Sequence, residues 1–242
     1  MATADGDLTD AVLRPVRGHH AFESCVGRLA TAIRLGVYAD GIALPPERQL
    51  AERMGVSRAT LREAIAALRT AGLVRTTRGR GGGTIVDHDP QDPASGAASD
   101  FDGRHGYLLD SLTFRRVVEP GACHVAASRT LSEAQRNLLR EAHARVADAS
   151  DPGVHRQLDS QFHLAIAAIT DSALILDAVT DLQAGLHDML MAIPVLDVNI
   201  AHSNEQHAAI TAAILAGHAT KARRVMERHC DDTAALLQGL LG

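Results

Sequence analysis

No stretch of this 242-residue chain approaches the ~18 consecutive apolar residues of a membrane span, so a transmembrane protein is not expected. The chain opens without a basic n-region or an apolar h-region and instead carries Asp5, Asp7 and Asp10, so no secretory leader is expected and the working compartment is expected to be the cytoplasm. Cysteine is scarce. Cys25, Cys123 and Cys230 are odd in number and far apart, which supports neither a disulfide framework nor a paired-cysteine zinc site. Positive charge is short as well, with a formal net charge of −5 that is unpromising for a nucleic-acid partner. What the chain does have is 46% hydrophobic residues and enough length for two modest cores.

The charge deficit is unevenly spread. Residues 1–88 hold 12 Arg against 9 acidic residues, a balance of +3, whereas residues 89–242 hold 12 basic residues against 20 acidic ones, a balance of −8. Within residues 45–87, 8 Arg face 4 acids. A basic module joined to an acidic one fits this split, although a charged, solvated face would look similar.

Periodicity gives the same division. Phe22, Val26, Leu29 and Ile33 mark a helix over residues 22–35, closed by Gly36 and Gly41. Pro45 and Pro46 open a second helix over residues 47–54, ended by Gly55, and Ser57 caps a third running to about Ala71. Residues 73–77 and 84–87 then read as short strands around a glycine-rich turn. Residues 1–20 are expected to be a flexible arm, residues 21–87 a first domain and residues 88–106, with Pro90 and Pro93 and no periodicity, a linker. Residues 107–242 read as six or seven helices without a strand. The fold class is therefore mainly α: a winged helix-turn-helix of three helices and a two-stranded wing, followed by an all-α bundle.

In a winged helix-turn-helix the third helix enters the major groove by its N-terminal end. Arg58 and Arg62, four apart near that end, present guanidinium forks suited to guanine edges or phosphates. Ser57 and Thr60 flank them, Arg48 is placed for a phosphate, and Arg80 and Gly82 lie in a wing tip bare enough to approach the minor groove. One such helix covers few base pairs, so a homodimer on paired half-sites of double-stranded operator DNA is expected. Residues 44–64, LPPERQLAERMGVSRATLREA, with residues 68–74, LRTAGLV, and the Gly-Arg-Gly wing, resemble the GntR family of transcriptional regulators. The resemblance runs without a gap from about residue 20 to 87. It departs at Pro46, where the family usually has serine, and in the triple glycine of the wing.

In the acidic half, Asp159 and His163 stand i,i+4 on one helical face that continues through Phe162 and Ile166 and so points inward. His207 shares a stripe with Ile210 and Ile214, and His229 lies between Val225 and Thr233. Three imidazoles and a carboxylate on buried stripes can converge inside a bundle as a metal site; taken singly, each His also reads as a satisfied core residue. A nitrogen-and-oxygen donor set suits a divalent transition metal, Zn²⁺ first, with Ni²⁺, Mn²⁺ and Fe²⁺ also compatible. Residues 107–240 resemble the FCD ligand-binding domain that accompanies GntR modules in the FadR subfamily, through Asp159-x-x-Phe162-His163, the run from Glu205 to Ile210, and His229. The resemblance implies that these four residues are metal ligands and that Arg115 contacts a small organic-acid effector, although Arg115 also stands i,i+4 to Glu119 as an ion-pair partner. A metalloenzyme is the competing reading. Spacing places no general base beside the four ligands, and a DNA-reading module would be surplus to a hydrolase. An architectural DNA-binding protein is disfavoured by the large acidic domain. The expectation is a ligand-responsive, non-enzymatic regulator of transcription, a repressor.

Overall fold

The structure, a computed structural model, describes residues 21–77, 83–88, 105–191 and 197–241. Among the described residues the order is α1 (Ala21–Arg34), α2 (Glu47–Met54), α3 (Arg58–Thr70), β1 (Val74–Thr77), β2 (Gly83–Val86), α4 (His105–Ala127), α5 (Glu133–Ala147), α6 (Pro152–Ala168), α7 (Ala173–Met191), α8 (Asp197–Leu215) and α9 (Ala219–Leu241). The mainly helical architecture expected from periodicity is the one observed. The N-terminal arm over residues 1–20, the wing residues Arg80 and Gly82, and most of the expected linker lie outside the described residues.

In the first module, Cys25, Leu29 and Ile33 repeat at four-residue spacing on α1 and bury against Leu61, Ile65 and Leu68 of α3. The short α2 buries only Leu50 and Ala51, so what fixes it is its ends. Gly55 closes it at φ 64, and Ser57 caps α3 by accepting from the Thr60 N–H at 3.0 Å. β1 and β2 pair antiparallel from Val74↔Val86 to Thr77↔Gly83. The segment before α2 extends this ribbon, because the Leu44 N–H donates to Thr84 O at 2.8 Å and the Val86 N–H to Ile42 O at 2.9 Å. The base of the wing is thus tied to the core that holds α3.

The second module is α4 to α9, the lower of the two expected helix counts. Helix α4 begins at His105, ahead of residue 107, and where the apolar period around His207 reads as a helix over residues 204–216, α8 begins at Asp197. The earlier start of α8 takes in Asn199, His202 and Ser203, weak helix formers whose polarity hides the apolar period in sequence. Helix α6 starts where Asp151 accepts from the Val154 N–H at 2.9 Å and Pro152 fills the first turn. Helices α4, α5 and α7 pack around it, so it buries Phe162, His163 and Ile166 together with His155 and Ser160. Phe162 joins Leu139, Ile210, Ile214 and Met226 in the main core, each contributing about 1.5–3 kcal/mol by burial. The alanines 122, 126 and 127 of α4 sit in the same core, and α4 runs alongside α9, which sets Arg115 of one beside His229 of the other. Among the described residues no helix is long and apolar enough to cross a membrane.

Candidate metal centre and DNA-reading surface

Asp159 and His163 of α6, His207 of α8 and His229 of α9 each offer one ligand atom, and these atoms all lie within 4.8 Å of one another. His163 Nε2 and His229 Nε2 are 3.2 Å apart, His207 Nε2 is 3.4 Å from Asp159 Oδ1, and His163 Nε2 is 3.9 Å from Asp159 Oδ2. Donors bound at about 2.0–2.2 Å around a tetrahedral ion stand roughly 3.3–3.6 Å apart. The observed separations bracket that range, and the donor set fits a divalent transition metal. The three imidazoles are buried and Asp159 keeps a narrow opening to solvent.

Supporting groups aim the rings. His229 Nδ1 lies 2.9 Å from Gln206 Oε1, an acceptor for its N–H that leaves Nε2 free to face the centre. Glu119 Oε2 lies 3.0 Å from His163 Nδ1, though off the line of an N–H bond. His207 packs its ring on Phe162 with centroids 4.4 Å apart, and its Nδ1 is buried without a hydrogen-bond partner among the described residues. Burial above all, and then the neighbouring histidines and Arg115, hold His207 and His229 well below the usual imidazole range. Both rings are therefore neutral, the form that ligates metal.

Arg115 unites two expectations. Its Nε donates to Glu119 Oε2 at 2.9 Å, the i,i+4 pairing, while Nη2 lies 3.2 Å from His229 Nε2 and 3.4 Å from His163 Nε2. Its Nη1 is buried with no hydrogen-bond partner among the described residues. Burial alone would weaken the charge on the guanidinium, but Glu119, Cys230 and Asp159 together outweigh burial and keep it cationic. Glu119 is in turn held well below the ordinary carboxylate range, because Arg115 and His163 overcome the burial that would raise it. Gln183 donates to its other oxygen at 2.5 Å, and the Cys230 thiol sits 3.7 Å away, touching this pair rather than the ligands. A pocket open to solvent ends on Arg115, Asp159 and His229, with Leu186, Leu190 and Leu236 on its apolar wall.

All four ligands and Arg115 named from sequence thus come together. Sequence reasoning missed Gln183, Gln206 and His155, and gave no role to His202, which lines the cavity and pairs with Asp232 at 3.0 Å. Glu119 was visible only as an i,i+4 partner of Arg115. Gln206 carried no signal, since the ring it supports lies 23 residues away and on another helix.

On the first module, Arg58 and Arg62 are exposed on the first turns of α3. Arg62 Nε donates to Glu47 Oε2 at 2.7 Å, which ties α3 to the start of α2, whereas Arg58 has no ion pair among the described residues. Arg48 is exposed beside Glu52 at 3.8 Å. The Ser57 oxygen is engaged in the helix cap and lies 2.9 Å from Thr60 Oγ1.

Two protein families match. The family described as bacterial regulatory proteins, gntR family, covers residues 23–86, and the FCD domain covers residues 110–232. Among curated relatives, a protein named as an L-lactate dehydrogenase operon regulatory protein of Escherichia coli K12 is 32% identical over 202 residues, 78% of this chain and 75% of its own length. The HTH-type transcriptional repressor NanR of Cronobacter sakazakii is 27% identical over 97% of this chain and 94% of its own. An HTH-type transcriptional regulator of Mycobacterium gastri, RmpR, is 33% identical over 66% of this chain, which spans 59% of that protein. The solved structure of E. coli McbR/YncC shares the fold, with a TM-score of 0.54 over 92% of this chain and 99% of its own at 16% identity. With an operator-reading module and a helical sensor both matched, the chain belongs to the GntR family of bacterial regulatory proteins, in the branch carrying an FCD domain, and is a DNA-binding transcriptional regulator rather than an enzyme.

Proposed function

We propose that the chain works in the cytoplasm as a homodimeric repressor that grips a palindromic operator with one α3 per half-site. A small carboxylate seated at a metal centre in the FCD domain modulates that grip. The observation that carries the effector reading is Arg115, which lines a cavity beside Asp159 and His229 and whose buried Nη1 has no hydrogen-bond partner among the described residues. A buried donor left unpaired loses the stabilisation of its hydrogen bonds, and a carboxylate in the cavity would restore it. A divalent ion held by Asp159, His163, His207 and His229, Zn²⁺ before Ni²⁺, Mn²⁺ or Fe²⁺, would add positive charge and an open coordination position beside the guanidinium. Gln206 holds the His229 ring in place for it, and the Glu119 carboxylate stands 3.0 Å from His163 Nδ1.

In the reading head, residues 21–87, Arg58 and Arg62 contact base edges and Arg48 a phosphate. Ser57 and Thr60 line the approach, and Arg80 and Gly82 of the wing reach the minor groove. Residues 88–106 link this head to the sensor, residues 107–242. Repression is supported by the likeness to NanR, named a repressor. The test is retardation of the DNA upstream of the chain's own gene at moderate salt, with Zn²⁺ present or chelated and with a panel of small carboxylates, alongside sedimentation. The expected outcome is a two-fold symmetric footprint by a dimer, altered by one of the acids. A protein monomeric at micromolar concentration and on DNA, or one indifferent to every acid, contradicts the reading.

A further inference from the structure

Helix α6 carries a second i,i+4 pair. Gln157 and Gln161 lie on the side of the helix roughly opposite Asp159 and His163, at ~100° per residue. Their amides reach into the reading head. Gln157 Nε2 donates to the Arg34 carbonyl at 3.0 Å and Gln161 Nε2 to the Leu35 carbonyl at 2.9 Å. Those carbonyls end α1, where no further turn supplies donors. The chain leaves through Gly36 at φ +66, and a β-carbon there would lie 2.8 Å from both Gln157 Oε1 and Gln161 Nε2. Glycine thus supplies the left-handed backbone and the room for both amides. Leu35 is buried and both glutamines are half-buried, so water competes weakly for these bonds. At the surface Arg28 of α1 pairs with Asp177 of α7 at 3.6 Å.

We propose that Gln157 and Gln161 form a clasp on the end of α1 through which occupancy of the four-ligand site sets the hold on the reading head. The inference rests on the metal reading of that site. Ligands and clasp share one short stretch of α6, residues 157–163, so neither pair moves without the other. At a side-chain radius of about 5–6 Å, a rotation of α6 by ~20° swings the amides by about 2 Å. Bonds of 2.9–3.0 Å do not survive that displacement. In this structure the ligands stand at metal-binding separations while the clasp is closed, so the gathered site and the closed clasp belong to one state. The pull reaches DNA-reading residues because α1 shares its buried stripe with α3, which carries Arg58 and Arg62.

Hydrogen exchange on the full chain tests the clasp with Zn²⁺ alone as probe. The Leu35, Gly36 and Tyr38 amides, which donate to Thr31, Ile33 and Ala32, report on the end of α1. Adding Zn²⁺ to chelator-stripped wild type should slow exchange about tenfold both across residues 159–163 and at these three amides. In Gln157→Glu/Gln161→Glu, which keeps the shape and loses both donors, the slowing across residues 159–163 should persist while that at 35–38 disappears. Gln157→Ala/Gln161→Ala should behave alike. Zn²⁺ that protects residues 159–163 of wild type and leaves 35–38 unmoved overturns the clasp, as does a double variant with the full response at 35–38. Zn²⁺ that protects neither segment overturns the metal reading and the coupling with it.

Discussion

Chelation should lower the melting temperature of the FCD domain by about 10 °C, and the figure follows from the geometry of the centre. An ion held by Asp159, His163, His207 and His229 joins α6, α8 and α9, and the unfolded chain has no equivalent set to offer. A ligand bound only by the folded state stabilises it by about 2.7 kcal/mol at a hundred times its dissociation constant. Helices α4 to α9 span residues 105–241, and ~135 residues at ~2.1 cal/mol/K each give an unfolding entropy of about 0.28 kcal/mol/K. The quotient is the predicted shift. It should be read by calorimetry on one preparation, stripped and then reloaded with Zn²⁺. His207→Ala removes a fully buried ring and lowers stability by itself, so what counts is the difference between stripped and loaded protein, which should vanish. His143→Ala is the control; its ring touches Phe162 at a centroid distance of 6.2 Å but offers the centre nothing, and the full shift should remain. A wild-type melting curve indifferent to chelator and to Zn²⁺, with no metal in the purified protein, would refute the reasoning and return these histidines to the core.

Arg62→Ala should cost roughly 1–3 kcal/mol on the operator and relax discrimination at one base step, whereas Arg48→Ala should weaken operator and random DNA alike and flatten the salt slope by about one. Equal losses on both DNAs for Arg62→Ala would remove that residue from base reading. Glu119→Gln withdraws the charge that holds Arg115 and backs His163, and should weaken Zn²⁺ about 10–100-fold in a chelator competition; unchanged affinity would make Glu119 a partner of Arg115 alone. Cys25, Cys123 and Cys230 are buried with their thiols pushed up by burial, so a thiol reagent should react slowly with native protein and count all three after denaturation. A fast stoichiometric reaction with the native chain would contradict the packing of α1, α4 or α9.

Local chemistry made much of this fold legible. Gly55 before Ser57 marks the turn between α2 and α3, and Asp151-Pro152 starts the helix that carries Asp159 and His163, because caps act within a few residues of themselves. Less legible was the start of α8, where Asn199, His202 and Ser203 are helical although their polarity shows no apolar stripe; packing and the cavity hold that turn rather than propensity.

The candidate site divides along the same line. Asp159 and His163 were a pair in the sequence already, since four residues on a helix return a side chain to the same face. That His207 and His229 meet them within 4.8 Å depends on how α8 and α9 are rotated against α6, which periodicity alone leaves open. The same holds for Gln206 behind His229 and for the Gln157 and Gln161 amides on the end of α1: a long side chain finds its partner only after the helices have packed. Sequence by itself determined which faces are buried, where the helices stop and which residues could ligate or read bases. Tertiary structure decided which of them touch, because contact between helices is set by crossing angle and rotation rather than by spacing along one chain.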